Sequence, residues 1–548
     1  MAVDKPQRQR VADFVVSALQ RRGVKNVFGV GGANIEDLYD ALQNSGISGV
    51  VAKHECSAAM MADGYARVTG RLGVVMATSG GGAMNLVAGL AESHASRIPV
   101  LALVGQPPTT LDGSGAFQEG SGQAGSLDTY PLFAAVARHC RRVTDPADMA
   151  EALGEAIAAA ESEPQGPAVL LLPKDIQQSL IPVATAPSRP RSVAGSPADL
   201  VTAACGTLTD ARSILVIAGE GAARAKTELL DLVRRMPARV AVTPDAKDAF
   251  DNRHPAYLGV TGVMGHAEVI EYAKQATACL LVGTRLPMVA RDGLDPVVHA
   301  VPVISVGPEP PFVPALNLDG DLRMTLDELT ARLPERDPDP MRTDLLRLPM
   351  VASGNRYEEL IAAVQTALPE RAHVFVDAGN IGAAAIHWLT APRDGRCVVA
   401  LGMGGMGYTF GAGIGAAIGD SRRTYVLAGD GSFFMHGMEI HTAIEYDADV
   451  TFIVVNNNAH AMCVTREQLF YAADYSFNRF RPADIGSGVA AMFPSLPVVR
   501  AESAAEVGAA VRAGAALSGP SLITVDVPTD EMPPFRPFIA AQHDRRTA

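Results

Sequence analysis

Short, nearly uninterrupted apolar runs recur along this chain of 548 residues, and each is followed by a longer stretch with helical spacing. Such runs are typical of strands that are buried on both faces of a parallel sheet. Two proline-rich stretches, 182–200 and 333–350, have the composition of linkers and divide the chain into three pieces of about 150–200 residues, the usual size of a domain. The pattern therefore predicts an α/β fold with three doubly wound parallel-sheet domains.

We place these domains at residues 1–185, 195–335 and 350–548. The first and the third resemble each other, because each contains a glycine-rich stretch of small residues, Ala77–His94 and Leu401–Gly419. Two similar domains that flank a third suggest a cofactor held between the similar pair. The predicted strands are Val100–Val104, Val169–Leu172, Ile214–Ile217, Leu280–Val282, Val374–Val376, Tyr425–Leu427, Phe452–Val455 and Leu522–Val525.

Charge and composition exclude several classes of protein. The net charge of −13 argues against binding to the backbone of a nucleic acid. No apolar run approaches the ~20 residues that a membrane helix needs, and the polar start of the chain lacks the apolar core of a signal peptide. The six cysteines are dispersed, and the nearest two, Cys140 and Cys205, stand 65 positions apart. This spacing predicts reduced thiols in a cytoplasmic protein.

Polar side chains follow two predicted strands of the third domain. The strand Thr424–Ala428 runs into the sequence Gly-Asp-Gly-Ser at 429–432, and the strand Val450–Val455 ends in two asparagines. Strand ends in this arrangement meet at one edge of a parallel sheet, so Asp430 and Asn457, 27 positions apart, are expected to face one site. Carboxylate and amide oxygens suit Mg²⁺ that bridges two phosphates, and Gly431 lets the backbone approach them closely. A Gly-Asp-Gly sequence alone would be an ordinary turn.

This pattern resembles the metal and diphosphate motif of thiamine diphosphate enzymes. The resemblance implies that Asp430, Asn457 and the carbonyl of Ala459 hold Mg²⁺, and that Gly431 and Ser432 contact the diphosphate. It also implies that the side chain of Met406 supports the bent cofactor and that the carbonyl of Gly404 accepts from its 4′-amino group. Further cofactor contacts are implied for Gly379, Asn380, His460 and Met462.

A glutamate begins a predicted helix in the first domain. Val50–Lys53 has the composition of a short strand, and His54 and Glu55 precede the apolar helix Cys56–Arg67. A glutamate at a helix start also simply favours the helix dipole. However, the segment 54–71 together with Ala-Thr-Ser-Gly-Gly-Gly-Ala-Met-Asn at 77–85 resembles the pyrimidine-binding domain of the acetolactate synthase-like group. In that group the glutamate bonds N1′ of the aminopyrimidine, which needs a carboxyl in an apolar cleft.

The resemblance extends to the central domain, where it leaves the presence of FAD open. The sequences Ala-Gly-Glu-Gly at 218–221 and Val-Gly-Thr-Arg at 282–285 each follow a predicted strand. Some members of the group bind FAD across this domain, and Arg285 stands where an arginine that contacts FAD can occur. Other members have the same fold and hold no FAD.

The residues on the substrate side depart from the family pattern. Phe117 and Gln118 match an Ala-Phe-Gln-Glu stretch of acetolactate synthases, whereas Arg466 stands where those enzymes have the tryptophan of the acceptor pocket. An arginine there favours an anionic or polar acceptor, because a guanidinium pairs well with carboxylate or phosphate. His460 follows the metal loop and is a candidate polar group near the reactive carbon. Structural roles for Gln118, His460 and Arg466 remain equally compatible with the sequence.

The resemblance implies a thiamine diphosphate- and Mg²⁺-dependent carboligase. Such an enzyme decarboxylates a 2-oxo acid, pyruvate or a relative, and adds the acyl carbanion equivalent to an acceptor carbonyl, with Glu55, Gln118 and His460 as the catalytic candidates. A homodimer is implied at least, and a homotetramer is expected. The open alternatives are a 2-oxo acid decarboxylase without ligation, a flavin-dependent oxidase of the pyruvate oxidase kind, and a non-catalytic binding homologue, against which Glu55, Asp430 and Asn457 argue.

Overall fold

A computed structural model of the protein describes residues 8–183, 195–334, 354–471 and 476–547. It contains three six-stranded sheets, all parallel, with helices on their faces. The predicted fold class is therefore confirmed, and each of the eight predicted strands lies inside an observed strand. The bounds of the domains stay a prediction, because residues 184–194 and 335–353, which include most of both predicted linkers, lie outside the described residues.

The first sheet has the strand order β3-β2-β4-β5-β7-β6, and a short antiparallel pair, β1 with β8, lies beside it. The strands are β1 Arg8–Arg10, β2 Asn26–Val30, β3 Ser48–Val51, β4 Gly73–Ala77, β5 Val100–Gln106, β6 His139–Arg142, β7 Ala168–Pro173 and β8 Leu180–Pro182. The helices are α1 Val11–Arg21, α2 Glu36–Gln43, α3 Glu55–Thr69, α4 Gly81–Ala95, α5 Thr129–Ala134, α6 Met149–Glu161 and α7 Lys174–Gln178. The strand predicted at Val50–Lys53 ends at Val51, two residues early.

The central sheet has the order β11-β10-β9-β12-β13-β14, so the chain reverses its direction of winding between β9 and β12. The strands are β9 Ile214–Ala218, β10 Ala238–Val242, β11 Tyr257–Val260, β12 Ala278–Val282, β13 Val303–Val306 and β14 Leu316–Leu318. The helices are α8 Ala198–Asp210, α9 Lys226–Val233, α10 Ala267–Ala273, α11 Met288–Arg291, α12 Asp295–Val298 and α13 Leu322–Arg332.

The third sheet has the order β16-β15-β17-β18-β20-β19, which is the order of the first sheet strand for strand. The predicted likeness of the two outer domains is thus seen in their topology. The strands are β15 His373–Val376, β16 Cys397–Val399, β17 Thr424–Gly429, β18 Val450–Asn456, β19 Val498–Ala501 and β20 Ser521–Asp526. The helices are α14 Arg356–Ala367, α15 Asn380–Trp388, α16 Tyr408–Gly419, α17 Asp430–His436, α18 Ile440–Glu445, α19 Ala461–Phe470, α20 Ile485–Met492, α21 Ala504–Gly514 and α22 Arg536–Thr547.

Helices α3 and α16 join the two outer domains at very short range. A Cβ atom added to Gly64 would lie 2.0 Å from the carbonyl oxygen of Ala412, and one added to Gly415 would lie 2.0 Å from the carbonyl oxygen of Met61. Both positions therefore require glycine. The contact fixes the position of the start of α3, where Glu55 lies, relative to the loop before α16. Within the described residues, no helix has the length and apolar character needed to cross a membrane.

Candidate active site

The carboxyl ends of β17 and β18 bring the predicted metal ligands together. Asp430 is the first residue of α17, and Asn457 directly follows β18. The backbone N–H of Ala459 donates to Asp430 Oδ2 and to Asn457 Oδ1, at 3.1 Å each. All three residues are buried. The segment 429–432 is not a free loop, because α17 begins within it and places Gly431 and Ser432 in its first turn.

A cavity of about 230 Å³ lies over these residues. It is lined by every residue of the third domain that the sequence suggested for cofactor or metal, and by Arg466 as well. The structure therefore gathers these residues in one place, and their individual roles stay predictions. The residues concerned are Gly379, Asn380, Gly404, Met406, Asp430, Gly431, Ser432, Asn457, Ala459, His460 and Met462.

Asp377 is a residue of this region that the sequence reasoning missed. It follows β15 at the same sheet edge, is buried, and accepts from the N–H of Gly407 at 3.0 Å and the hydroxyl of Ser432 at 2.8 Å. The Ser432 hydroxyl is therefore committed to Asp377, which leaves the backbone N–H of Ser432 in the first turn of α17 to meet a phosphate. The strand-end argument that selected Asp430 would have found Asp377 too.

Tyr357, on α14, is a second missed residue. It lines the cavity, and its hydroxyl accepts from the side-chain N–H of Asn457 at 3.4 Å. Burial raises the pKa of Tyr357 to about 12, so the hydroxyl stays protonated near neutral pH. No local sequence signal connects Tyr357 with Asn457, since the two are 100 positions apart.

The chemistry of the cavity fits a divalent cation and a diphosphate. Burial raises the pKa of Asp430, and a bound cation would favour its ionised form. The Oδ1 atom of Asn380 is buried without a hydrogen-bond partner among the described residues. A Cβ atom on Gly431 would lie 2.7 Å from Cδ2 of His460 and 3.0 Å from Cε of Met406, so only glycine leaves room between these side chains. A divalent cation needs hard oxygen ligands, and a diphosphate needs backbone N–H groups that it can approach closely.

The other side of the cavity is formed by α19. Met462 and Arg466 are four residues apart and share one face of this helix. The ring of His460 packs edge-on against Phe480 at 4.8 Å between centroids. Arg466 is exposed and makes no hydrogen bond or ion pair with any residue that the structure describes. Among the described residues, no side chain competes with an anion in the cavity for this guanidinium.

The residues predicted in the first domain lie at the carboxyl edge of its own sheet. Glu55 is the first residue of α3, and the side-chain N–H of Asn85 donates to its Oε2 atom at 2.9 Å. Ser79, after β4, donates to Oε1 of Gln118 at 3.2 Å, and Phe117 is 80% exposed. Neither Glu55 nor Phe117 nor Gln118 lines the cavity at Asp430. The candidate residues thus form two separate groups, named here the N-terminal half-site (Glu55, Asn85, Phe117 and Gln118) and the C-terminal half-site (the cavity at Asp430).

Glu119 shapes the loop of the N-terminal half-site, and the sequence reasoning did not assign it this role. Its carboxylate accepts from the hydroxyl of Ser121 and from the N–H groups of Gly113, Gly115 and Ala116, at 2.5–3.1 Å. These hydrogen bonds, that of Ser121 foremost, lower the pKa of Glu119. The loop that presents Phe117 is thus folded around one ionised side chain.

A second cavity, of about 570 Å³, lies at the carboxyl edge of the central sheet and contains Arg285. The guanidinium of Arg285 stacks over Phe312 at 4.2 Å and donates to the carbonyl of Pro310 at 3.0 Å. Between β9 and β12, where such folds bind nucleotides, the N–H of Gly221 donates to the carbonyl of Gly283 at 3.0 Å. The arginine suggested for FAD is thus engaged by protein groups, and the presence of FAD stays open.

Three parts of the chain match one family. Residues 9–125 match the description "Thiamine pyrophosphate enzyme, N-terminal TPP binding domain", residues 201–329 its central domain, and residues 377–525 its C-terminal TPP binding domain. An acetolactate synthase of Arthrospira platensis is 32% identical, with 84% of each chain covered. The large subunit of acetolactate synthase isozyme 1 of Escherichia coli is 28% identical over the same shares, and a sulfoacetaldehyde acetyltransferase of Castellaniella defragrans is 28% identical over 82% of this chain and 81% of its own.

Proposed function

Because the chain belongs to the thiamine pyrophosphate (thiamine diphosphate) enzyme family and is an acetolactate synthase-like carboligase within it, we propose that it works with Mg²⁺ on a pyruvate-like 2-oxo acid. The acyl group that remains after loss of carbon dioxide would be joined to an acceptor carbonyl. The observation that supports this best is the convergence of the Asp430 and Asn457 oxygens on the N–H of Ala459 inside one cavity. When bound, thiamine diphosphate supplies the electron sink that decarboxylation requires.

In this proposal the C-terminal half-site binds and orients Mg²⁺ and the diphosphate of the cofactor. Asp430 Oδ1, the side-chain oxygen of Asn457 and the carbonyl of Ala459 would hold Mg²⁺. The N–H groups of Gly431 and Ser432 would donate to the diphosphate, because the first turn of a helix has N–H groups without partners inside the helix. The buried position of these residues limits their own contact with water, which strengthens charge interactions there.

The N-terminal half-site would share a proton with the aminopyrimidine of the cofactor. Asn85 donates to Oε2 of Glu55, which leaves Oε1 to share a proton with N1′ of the aminopyrimidine. Oε1 faces Gly82, whose Cβ would lie 3.0 Å from it, so the carboxyl approaches the glycine-rich start of α4 closely. Gln118 is close to the same segment, because a Cβ on Gly80 would lie 2.7 Å from the Cβ of Gln118.

The two half-sites do not share a cavity in one chain, and this supports a homodimer as the functional unit. The N-terminal half-site of one subunit would face the C-terminal half-site of the other. Large apolar side chains with exposed fractions of 80% at Phe117, 53% at Phe434 and 92% at Phe477 would be covered in such a dimer. A homotetramer and a cytoplasmic location are further parts of the proposal. Sedimentation of the purified protein tests the assembly, and a monomer with full activity would contradict it.

The substrate side favours an acceptor or donor with an anionic group. Arg466 lines the cavity, and within the described residues it has no partner. A relative is named for sulfoacetaldehyde, a small anionic compound, which is in keeping with a cation at this position. His460 lies beside Gly431 and Gln118 lies in the other half-site, so both would be polar groups on the substrate side.

Product analysis separates the proposal from its rivals. The enzyme is incubated with thiamine diphosphate, Mg²⁺ and pyruvate, with and without an added aldehyde or 2-oxo acid. A chiral acyloin supports ligation, whereas free aldehyde as the only product indicates a simple decarboxylase. An absorption spectrum of the purified protein shows whether flavin is bound, and an oxidase would also consume oxygen in step with pyruvate. The non-catalytic alternative is set aside, since the chain is an enzyme of this class.

A further inference from the structure

Two buried glutamates reach across the junction between the first and third domains. Glu92 lies on α4 of the first domain, and Glu439 lies in the 3₁₀ turn Gly437–Glu439 of the third. Their exposed fractions are 3% and 2%. Neither lines the cavity at Asp430. Each is placed on one domain and accepts two backbone N–H groups of the other, besides one hydroxyl of its own domain, Ser96 for Glu92 and Thr442 for Glu439.

Glu92 holds the start of the loop that carries Met406. Its Oε1 accepts from the N–H of Gly402 at 3.1 Å and its Oε2 from the N–H of Met403 at 2.6 Å. The loop approaches α4 so closely that a Cβ on Gly402 would lie 2.7 Å from the Cβ of Ala95. Residues 402–405 are otherwise exposed, so the carboxylate of Glu92 is the anchor at this end of the loop.

Asp377 holds the other end of the same loop. The N–H of Gly407 donates to Asp377 Oδ1 at 3.0 Å, and Asp377 belongs to the third domain like the loop itself. The segment between Met403 and Gly407 is therefore hydrogen-bonded to a carboxylate at each end, and one of the two carboxylates belongs to another domain. Met406 and Gly404, both in the cavity lining, lie on this segment.

Glu439 makes the same kind of contact in the opposite direction. Its Oε1 accepts from the N–H of Lys53 at 3.0 Å and from the N–H of His54 at 2.9 Å. Its other oxygen accepts from the hydroxyl of Thr442 at 2.8 Å. The two N–H groups directly precede Glu55, so Glu439 fixes the point at which α3 begins.

The two contacts occupy corresponding places in domains of the same topology. Glu92 lies on the helix after β4, and Glu439 lies in the helical segment after β17, and these strands hold the same position in their sheets. Both carboxylates accept two backbone N–H groups, and hydrogen bonds to an ionised acceptor are stronger than neutral ones. Arg67, itself buried, lies 3.9 Å from Glu92 and adds a favourable charge there.

We propose that Glu92 and Glu439 are reciprocal positioning residues, each of which fixes the segment that carries the cofactor residue of the other domain. Glu92 would set Met406 against the cofactor, and Glu439 would set Glu55. The roles of Met406 and Glu55 rest on the proposed function, whereas the anchoring itself does not.

The anchoring is tested by hydrogen exchange on the cofactor-free, full-length protein. Glu92→Gln and Glu439→Gln are matched, since both remove one charge from an equally buried carboxylate that spans the same junction. Glu92→Gln should raise exchange about tenfold or more at 402–403 and leave 53–54 unchanged, and Glu439→Gln should do the reverse. Exchange that rises at both segments in either variant, or at neither, would overturn the proposal.

The consequence for the cofactor is tested by calorimetry with Mg²⁺ and two probes, thiamine diphosphate and inorganic diphosphate. Glu92→Gln should weaken thiamine diphosphate about tenfold and leave inorganic diphosphate within twofold, because the residues around Asp430 are untouched. Glu439→Gln should leave both affinities within twofold and lower kcat about tenfold without a change in KM. Equal weakening of both probes in Glu92→Gln would refute a positioning role.

Two milder variants keep the proposal testable if Glu92→Gln or Glu439→Gln fails to fold. Glu92→Asp and Glu439→Asp keep the charge and shorten the side chain by one methylene, so each should give the same pattern at a smaller amplitude. If the wild-type protein fails to bind thiamine diphosphate, the proposed function is wrong, and the exchange result still decides whether the two glutamates anchor their segments. If the wild type binds it and Glu92→Gln binds it equally well, the positioning role alone is wrong.

Discussion

The two half-sites differ in how completely one chain builds them. In the C-terminal half-site the key oxygens are buried and share a backbone donor, since Ala459 donates to both Asp430 and Asn457. In the N-terminal half-site, the described residues offer the carboxylate of Glu55 one hydrogen-bond donor, the exposed Asn85, and Phe117 is 80% exposed. Under the proposed function, one subunit would bind the cation and the diphosphate by itself, whereas proton transfer at Glu55 would depend on a surface that a second subunit covers.

Replacement of Asp430 should have the broadest effect, because it acts on cofactor binding and through binding on activity. Asp430→Ala removes the buried carboxylate of the proposed metal site, so Mg²⁺-dependent affinity for thiamine diphosphate should fall by about 100-fold or more, and activity with it. Calorimetry with and without a chelator measures this loss. Asp484→Ala, which removes an exposed helix cap in the same domain, serves as control and should bind the cofactor normally. Normal affinity in Asp430→Ala would refute the metal assignment.

Replacement of Glu55 should act on turnover and leave binding intact, which is the sharpest contrast with Asp430. Glu55→Gln keeps the shape and removes the acid, so kcat should fall by about 10²–10⁴-fold, the range of general acid–base catalysis. Thiamine diphosphate affinity should change by less than threefold. Glu151→Gln, on the exposed face of α6, is the control. Wild-type turnover in Glu55→Gln would show that Glu55 has no catalytic role.

Asn85 tests whether the single hydrogen bond at Glu55 matters. Asn85→Ala leaves Glu55 without its donor, and kcat should fall by about tenfold or less, since the hydrogen bond is exposed. The double variant Asn85→Ala with Glu55→Gln should be no slower than Glu55→Gln alone, because the two residues act as one unit. Additive losses would mean that Asn85 acts elsewhere.

Arg466 should show the smallest effect, and the effect should depend on the substrate. Arg466→Gln should raise KM for an anionic acceptor about fivefold, since the guanidinium is exposed and screened by solvent. A neutral aldehyde acceptor should show no change in KM and is the matched control. An equal change for both acceptors would contradict the proposed pairing with an anion.

The fold and the C-terminal half-site were accessible from the sequence for the same reason. Apolar runs identify parallel strands, and in a parallel sheet the residues after Ala428 and Val455 must meet at one edge, whatever the rest of the chain does. Asp430 and Asn457 could therefore be placed near each other. Asp377 obeys the same rule, because it directly follows β15.

The contacts between domains could not be read from the sequence. Glu92 and Gly402 are 310 positions apart, and Glu439 and His54 are 385 positions apart, so no local spacing connects them. The same limit applies to the separation of Glu55 from the cavity at Asp430, because strand periodicity places a residue within its own sheet only. The packing of α3 on α16, which depends on glycines whose neighbours lie in another domain, belongs to this class as well.

The glycine contacts between α3 and α16 also limit how such a protein can be rearranged. Gly64 meets Ala412 and Gly415 meets Met61 at backbone range, so the two helices fit each other and tolerate no added side chain. A chimera with its first domain from one relative and its third from another would pair α3 of one parent with α16 of the other. To keep this contact, both helices would have to be taken from the same parent. We therefore expect a chimera joined at the boundaries of the central domain to fold only when α3 and α16 come from the same parent.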